Sequence, residues 1–461
     1  MRSPEVWFRG SRALVVGLAR SGCAAAKLLL RHGATVRGVD RRRAEELEAS
    51  VTELKQLGVE LLFGTVDPVQ LRDRDLVIVS PGVPLNLPLF VEADRRGIPV
   101  VAEVELGYAV AQAPIVAVTG TNGKSTTVEL LGAMGRAAGR ETEVLGNIGT
   151  ALSERADSVP EDGLLVVEIS SFQLEACTRF RPRVGVLLNV TPDHLDRHGS
   201  LERYAGLKAR LFQRQTEDDF RVQPLGDSRI ELLLRTAKSK PLWFGFADPT
   251  GDGVWEEGGS LKFRVQGRSG TLIRREEATL PGPHNTENMA AASAAALAVG
   301  ISERAVAKAL REFRGLPHRL THVAEIDGVR YVNDSKATNV DALRRALESF
   351  KSPVTLIAGG RDKDGDFAAI RPLVLERVRH AVYVGEAAEK LAHAWPEVPH
   401  DRAGTLEEAV SVARTRTPQG GVVLLSPGCA SYDMFRNFEE RGARFEAAVM
   451  ELKRSLAKAR R

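Results

Sequence analysis

The chain has 461 residues, of which 43% are hydrophobic and 27% are charged. At roughly 100–200 residues per domain, this length predicts about three domains, each large enough to bury a core. Lys and Arg (64) barely outnumber Asp and Glu (60), and the two signs are interspersed, so the composition argues against a nucleic-acid partner and hints only at anionic ligands.

Three cysteines, Cys23, Cys177 and Cys429, lie far apart and show no CxxC spacing. Such a pattern argues against a disulfide framework or a zinc site and is typical of a reducing compartment. The N-terminus lacks an apolar signal-peptide core, and no stretch approaches 18 apolar residues. We therefore expect a cytoplasmic protein without membrane insertion.

The first block, residues 1–105, alternates short apolar runs with helical patterns. Its predicted strands are Ala13–Gly17, Thr35–Val39, Asp75–Ser80 and Ile98–Val101. A helix is predicted over Ser21–Arg31, with Ser21 as its cap. Strands that alternate with helices predict a parallel sheet.

The second block, residues 106–315, contains three apolar runs that read as buried strands. They are Ile115–Thr119, Leu164–Ile169 and Gly185–Val190. Helices are predicted over Asn285–Val299 and Glu303–Phe313, and residues 215–282 show only short β segments between Gly-rich turns.

The third block, residues 316–461, again alternates strands and helices. Asp327-Gly328 between two β-like runs predicts a two-residue hairpin. Further strands are predicted at Pro353–Ala358, Ala381–Val384 and Val422–Leu425. The sequence therefore predicts an α/β protein of three domains.

The sharpest motif is a Gly-rich loop between a strand and a helix, Val118–Thr127. Its glycines let backbone N–H groups surround phosphate, Lys124 can reach the β- and γ-phosphates, and Ser125 can ligate magnesium. The pattern is not a full Walker A motif, because its first glycine would fall at Val118. Phosphate binding is favoured over a plain Gly-rich turn.

A second glycine turn, Gly17–Gly22, follows the first strand, and Asp40 ends the second. This resembles a dinucleotide-binding turn with its ribose-binding acid, but Ala19 replaces the middle glycine. NAD, another nucleotide and a simple tight turn all stay open. Ser80–Pro84 forms a rigid loop at a later strand end.

Polar residues also follow the second-block strands. Glu168 could hold the same magnesium as the phosphate loop, or could cap a helix or face solvent. His194, in the run Asn189–His198, could serve a metal or phosphate, although a structural histidine is the commoner case. From its own position, Lys208 would be a surface lysine.

Three polar loops follow third-block strands: Asp334–Asn339, Gly359–Lys363 and Ser426–Ser431. Loops at the carboxyl ends of strands in one sheet predict a shared ligand face, and their cations and hydroxyls suit carboxylates and phosphate.

Taken together, these motifs resemble the Mur ligase family, which also includes folylpolyglutamate synthetase relatives. The resemblance rests on Gly120–Thr127, Glu168–Glu175, Asn189–His194, His284–Asn288 and Leu316–Arg319. Gly146–Gly149, Asp334–Asn339 and Ser426–Phe438 look like the corresponding segments of the family's D-glutamate-adding ligases.

The resemblance implies a Rossmann-like N-terminal domain for the UDP moiety, a central P-loop-type ATPase domain and a Rossmann-like C-terminal domain for the amino acid. It implies that ATP and Mg²⁺ are used, that an acyl phosphate forms on the alanyl carboxylate, and that the D-glutamate amine attacks it. The product would be a precursor of cell-wall peptidoglycan. The enzyme is expected to be a monomer.

The resemblance also assigns roles to individual residues. The implied catalytic residues are Lys124, Glu168, His194, Lys208 and Arg319. The implied metal ligands are Ser125, Glu168, His194 and Lys208, the last as a carbamate. The implied ATP contacts are Gly120, Thr121, Asn122, Gly123, Lys124, Ser125, Thr126, Asn288, Arg319 and Asp334. The implied substrate contacts are Leu18, Ser21, Asp40, Ser80, Gly82, Asn147, Ser170, Gln173, Thr338, Lys363, Ser431, Tyr432 and Phe438.

Two departures from the family pattern concern the edge of the middle domain, at Arg221–Asp227, and Thr321-His322. Three alternatives stay open. They are a sister ligase that adds another amino acid, an NAD-dependent oxidoreductase built on Gly17–Gly22, and a non-catalytic nucleotide-binding regulator. The oxidoreductase leaves the phosphate loop unexplained, and the regulator would not need Glu168, His194 and Lys208 together.

Overall fold

The computed structural model describes residues 7–351 and 353–459, and it contains three sheets. The outermost residues of the first and third predicted domains, 1–6 and 460–461, lie outside the described part. Within the described residues, no helix is both long and apolar enough to cross a bilayer.

The first sheet has five parallel strands in the order β3-β2-β1-β4-β5. Its strands are β1 Arg12–Val16, β2 Thr35–Asp40, β3 Glu60–Phe63, β4 Leu76–Val79 and β5 Val100–Ala102. Its helices are α1 Arg20–Arg31, α2 Glu48–Gln56, α3 Pro88–Arg95 and α4 Glu103–Val110. Apart from Arg12, the residues of β1 are buried, as expected for a central parallel strand that is covered on both faces.

The second sheet has nine strands in the order β14-β13-β12-β11-β10-β9-β6-β8-β7. They are β6 Ile115–Thr119, β7 Thr142–Gly146, β8 Leu164–Glu168, β9 Val184–Leu187, β10 Phe220–Pro224, β11 Lys240–Gly245, β12 Gly253–Glu257, β13 Ser260–Val265 and β14 Arg268–Arg274. Among the described strands of this sheet, only the β12–β13 and β13–β14 pairs are antiparallel. Residues 215–282 therefore extend the sheet that carries the phosphate loop.

The helices around this sheet come from both halves of the block. They are α5 Lys124–Ala137, α6 Leu152–Arg155, α7 Ser171–Glu175, α8 Leu195–His198, α9 Leu201–Ala209, α10 Ser228–Leu234, α11 Pro283–Ala298 and α12 Glu303–Glu312. Asp227, in the segment that departs from the family pattern, caps α10 by accepting a hydrogen bond from the Ile230 N–H.

The third sheet has six strands in the order β15-β16-β20-β17-β18-β19. They are β15 Thr321–Ile326, β16 Val329–Asn333, β17 Val354–Gly359, β18 Val378–Val384, β19 His400–Arg402 and β20 Val422–Leu425. Its helices are α13 Val340–Glu348, α14 Arg371–Arg377, α15 Ala388–Ala394, α16 Leu406–Arg416 and α17 Phe438–Ala459. Two hydrophobic clusters, one around Trp395 and one around Phe445, include residues from its strands.

The predicted hairpin is confirmed, because β15 and β16 pair antiparallel and join at Asp327-Gly328. Both turn residues have positive φ, 54° and 74°, as a type I′ turn requires.

The chain divides into two compact units. One contains the first two sheets, runs to Asn189, and includes Tyr204–Ala278 and Glu287–Phe313. The other contains the third sheet together with Val190–Arg203 and Thr279–Thr286. The boundaries predicted at 105 and 315 stay predictions.

Two expectations about helix ends are wrong. Ser21 does not cap α1, which begins at Arg20 with Ala19 as its N-cap and without a side-chain cap. The helix predicted over Asn285–Val299 begins two residues earlier, because α11 begins at Pro283 and His284–Asn288 lie in its first turns. Proline suits the first helical position because its φ is fixed and its missing N–H is not needed there.

Candidate active site

The phosphate loop joins the end of β6 to the start of α5. Gly120 and Gly123 adopt φ of 151° and 87°, and Gly123 is the N-cap of α5. Lys124 Nζ donates to the carbonyls of Gly120 (2.8 Å) and Thr121 (2.7 Å), so this cation lies over its own loop. A cation and a helix N-terminus at one loop favour binding of an anion.

Asn288 lies against the same loop. A Cβ placed on Gly123 would lie 2.3 Å from Asn288 Oδ1, so only glycine fits there without a rearrangement. The predicted ATP contact Asn288 is therefore brought to the phosphate loop, although 165 residues of sequence separate it from Gly123.

Ser125, Glu168 and Asn147 form a hydrogen-bonded chain beside the loop. Ser125 Oγ donates to Glu168 Oε2 (2.7 Å), and Asn147 Nδ2 donates to Glu168 Oε1 (2.8 Å). Ser125 and Glu168 are both buried. Glu168 is therefore neither a helix cap nor a solvent-facing acid.

The Ser125–Glu168 pair fits magnesium, which takes hard oxygen ligands and often keeps only one or two carboxylates beside phosphate oxygens. Among the described residues, no group of three or more His, Cys, Asp or Glu side chains is arranged to hold a metal. A cation here would thus depend on the nucleotide for further ligands.

Lys208 is a buried residue, not the surface lysine that its own sequence position suggested. It is 1% exposed, and its Nζ donates to the Gly120 carbonyl (2.7 Å). The same Nζ lies 4.3 Å from the centre of the Tyr204 ring. An ammonium cannot ligate a cation, so the predicted metal role of Lys208 requires the carbamate.

Asn189 is a contact that the sequence analysis did not single out. Its side-chain amide pairs with both main-chain groups of Asn122, and its carbonyl accepts from the Thr121 N–H. Its signals were its place after a strand, which many structural asparagines share, and its position at the start of the family-like run Asn189–His194.

His194 and its neighbours belong to the other compact unit. His194 has φ 54° and is the N-cap of α8. Asp193 accepts a hydrogen bond from Asn339 Nδ2 (3.0 Å) and lies 3.7 Å from Lys363 Nζ. The pairing of His194 with Lys208 at a second metal stays a prediction.

A cleft of about 540 Å³ opens at the carboxyl ends of β1, β2 and β4. Six predicted substrate contacts line it: Ser21, Asp40, Ser80, Gly82, Asn147 and Gln173. Arg20, Arg41 and Arg42 also line it and were not predicted. These cations suit an anionic ligand such as a diphosphate.

Leu18 and Ser170 are not among the lining residues. Leu18 has a fully buried side chain, but its N–H donates to Asp40 Oδ2 (2.7 Å). Ser170 caps α7 by accepting a hydrogen bond from the Gln173 N–H (3.3 Å). Both residues therefore support groups that line the cleft.

Asp40 is held as a carboxylate at the edge of this cleft. Partial burial opposes its charge, but hydrogen bonds from the Arg42 side chain and from the backbone of Leu18 and Arg42 outweigh burial and lower its pKa. A fixed carboxylate can accept hydrogen bonds from a ligand's N–H or hydroxyl groups.

In the other unit, the three predicted polar loops follow β16, β20 and β17, which are adjacent and parallel. They carry Asp334, Thr338, Lys363 and Ser431. Two aromatic residues are predicted to contact the amino acid. The ring centre of Phe438 lies 4.4 Å from Lys336 Nζ, and Tyr432 is 65% exposed.

Asp334 and Arg319 share this side of the third sheet. Burial raises the pKa of Asp334 to about 7, against the opposing effects of the Ser426 hydroxyl and the nearby Arg319 cation. Its Oδ1 also accepts from the Leu320 N–H (3.2 Å), which ties the segment containing Arg319 to the end of β16.

Arg441 was not predicted, yet it connects two of these loops. It is 1% exposed and donates to the carbonyls of Ser335, Cys429 and Ala430. Burial lowers the pKa of Arg441 to about 10. Its position in α17 gave no local signal, because Ser335 lies 106 residues earlier in the sequence.

Comparison with known families finds a match in each of the three predicted domains. Profiles described as the Mur ligase MurD-like N-terminal domain, the Mur ligase middle domain and the Mur ligase glutamate ligase domain match residues 11–102, 118–296 and 318–429. A UDP-N-acetylmuramoylalanine--D-glutamate ligase from Pelotomaculum thermopropionicum is 44% identical over 97% of this chain and 99% of its own length. The chain belongs to the Mur ligase family.

Other Mur ligases extend this result. The UDP-N-acetylmuramoylalanine--D-glutamate ligase of Acidobacterium capsulatum is 43% identical over 96% of this chain and 97% of its own length. Among solved structures, the MurC ligase of Thermotoga maritima matches with a TM-score of 0.58 and 20% identity over 96% of this chain and all of its own. The MurF ligase of the same organism, in complex with ADP, matches with a TM-score of 0.59 and 18% identity over 98% of this chain and all of its own. The predicted three-domain Mur ligase fold is confirmed.

Proposed function

We propose that this Mur ligase adds D-glutamate to UDP-N-acetylmuramoyl-L-alanine at the expense of ATP, in a cytoplasmic step of peptidoglycan synthesis. The observation that carries the proposal is the Ser125–Glu168–Asn147 chain, which links the phosphate loop to a residue of the cation-lined cleft. Relatives that carry the name of this ligase are 41–44% identical over nearly the whole chain.

In this mechanism, an oxygen of the alanyl carboxylate attacks the γ-phosphorus, and ADP leaves. The D-glutamate amine then attacks the acyl carbon of the resulting acyl phosphate, loses a proton and expels phosphate. Charge stabilisation and alignment of the reacting groups supply most of such catalysis. Lys124 and Arg319 provide cationic charge, and the backbone of Gly120–Gly123 provides N–H donors.

The proposed metal is Mg²⁺, which would neutralise phosphate charge when bound. Ser125 and Glu168 would hold one ion, and His194 and carbamylated Lys208 would serve a second. We assign Asn288 and Asp334 to the nucleotide. Thr338, Lys363, Ser431, Tyr432 and Phe438 are assigned to D-glutamate, with Lys363 pairing with a substrate carboxylate.

The cleft beside β1, β2 and β4 would take the UDP-sugar, with Asp40 at the uracil end and Asn147 at the muramoyl-alanine end. We further propose domain limits of 1–105, 106–315 and 316–461, and a monomeric state.

The direct test is phosphate release from ATP in the presence of magnesium, UDP-N-acetylmuramoyl-L-alanine and one amino acid at a time. The proposal predicts release with D-glutamate and background levels with L-lysine or diaminopimelate. Lys124→Ala should abolish release while its thermal unfolding stays close to wild type. Release that follows a different amino acid would assign the chain to a sister ligase.

A further inference from the structure

Asn189 makes three hydrogen bonds to two consecutive residues of the phosphate loop. Its Oδ1 accepts from the Asn122 N–H (2.9 Å), and its Nδ2 donates to the Asn122 carbonyl (3.0 Å). Its own carbonyl accepts from the Thr121 N–H (3.0 Å). The side chain thus pairs with Asn122 as a neighbouring strand would.

The loop needs such support because it is flanked by glycines. Gly120 and Gly123 adopt positive φ, and glycine loses more conformational freedom on ordering than any other residue. The peptide units of Thr121 and Asn122 lie between them. A side-chain amide can fix such a unit from both sides, since it carries a donor and an acceptor at a set spacing.

Asn189 is itself fixed by the sheet. It lies two residues after β9, which pairs with β6 in parallel register, Thr119 opposite Leu187. The Leu188 N–H donates to the Thr119 carbonyl (3.1 Å), so the two strands remain paired up to the start of the loop. The amide is therefore presented from a rigid element.

We propose that Asn189 is a positioning residue that holds the phosphate loop in its nucleotide-binding shape. The inference rests on the proposed use of this loop for ATP. Asn189 acts through the backbone of Thr121 and Asn122, so its loss weakens nucleotide binding while leaving the cleft of the first sheet unchanged.

The experiment is calorimetric titration of the full chain with ADP and magnesium, and separately with UDP-N-acetylmuramoyl-L-alanine. Asn189→Ala should weaken ADP binding about tenfold, as expected when two ordering hydrogen bonds are lost, and leave the UDP-sugar affinity within about twofold of wild type. Asn189→Asp keeps the acceptor but sets a second oxygen against the Asn122 carbonyl. It should bind ADP no more tightly than Asn189→Ala.

Gln215→Ala is the matched control. Gln215 Nε2 also makes two hydrogen bonds to main-chain carbonyls of the same unit, those of Pro182 and Phe220. This variant should unfold at a lower temperature yet bind ADP like wild type. Unchanged ADP affinity in Asn189→Ala, or equal losses for ADP and the UDP-sugar in all variants, would overturn the proposal.

The calorimetric readout does not need ligase turnover. Wild-type chain that binds ADP but releases no phosphate with D-glutamate would refute the ligase assignment, while the comparison of Asn189 variants would still decide the role of Asn189.

Discussion

At the scale of single residues, the environment of Lys208 is set by the tertiary fold and not by its local sequence. It lies in α9, yet its Nζ donates to the carbonyl of Gly120, 88 residues earlier. Spacing along a helix cannot reveal such a contact, and only the family resemblance pointed to it. The loop residues Lys124 and Ser125, by contrast, were readable because strand, glycines and helix are contiguous in sequence.

Lys208→Ala should be inactive, because the mutation removes the amine that would carry the carbamate. Short carboxylic acids such as acetate should restore part of the activity by placing a carboxylate in the vacated space, whereas bicarbonate should not. The measurement is phosphate release with D-glutamate across a series of acid concentrations. Lys262→Ala is the control, at a lysine of β13 that pairs with Glu257 of β12. Full activity of Lys208→Ala without added acid would remove the carbamate from the mechanism.

The raised pKa of Asp334 predicts how the free energy of unfolding depends on pH. Its pKa is raised from 3.8 to about 7 in the folded chain, chiefly by burial. As pH rises, the unfolded chain therefore loses this proton at a lower pH than the folded chain does. The free energy of unfolding should consequently fall as pH rises from about 4 to 7. Asp334→Asn lacks this titration and should lose less stability over that window, by about 1 kcal/mol or more.

Urea unfolding followed by tryptophan fluorescence from pH 4 to 8 would measure the effect. Asp364→Asn, at an exposed residue of the same unit with φ 59°, should keep the wild-type pH dependence. Parallel curves for wild type and Asp334→Asn would show that Asp334 does not titrate in this range.

At the scale of elements, α5 offers a matched pair of glycines. Gly123 at its start and Gly139 just after its end both have positive φ, 87° and 75°. A Cβ on Gly139 meets nothing within 4 Å, whereas one on Gly123 meets Asn288 Oδ1 at 2.3 Å. The two positions share backbone strain and differ in steric contact.

Gly139→Ala should cost about 1–2 kcal/mol of stability and leave nucleotide binding intact, because only the left-handed backbone is penalised. Gly123→Ala should in addition weaken ADP binding at least tenfold, since the loop or Asn288 must move. Equilibrium binding of a fluorescent ADP analogue to both variants is the measurement. Equal affinities would contradict a role for the close packing of Gly123 and Asn288.

Element boundaries were predictable where a buried run ends at a turn residue. β6 and β20 match the predicted Ile115–Thr119 and Val422–Leu425, because each is a short, fully buried apolar run. β10–β14 were poorly predicted, since β11 and β13 alternate buried and partly exposed residues and β14 begins and ends with arginine. Their pairing is set by neighbouring strands and not by local composition.

At the scale of the whole molecule, the three-domain α/β fold followed from strand–helix alternation, and motif order carried the family resemblance. The sequence did not reveal that the first two sheets belong to one compact unit. It also missed Arg20, Arg41 and Arg42 in the cleft, because a lone arginine or a short basic run is usually solvated. Such groupings arise from long-range packing.

The central claim is that phosphoryl transfer from ATP to the alanyl carboxylate precedes amide formation. Its most direct test uses UDP-N-acetylmuramoyl-L-alanine with ¹⁸O at both oxygens of the alanyl carboxylate, together with ATP, magnesium and D-glutamate. Mass spectrometry should find one ¹⁸O in each released phosphate and D-glutamate joined to the UDP-sugar. Unlabelled phosphate, or release that does not depend on D-glutamate, would contradict the account.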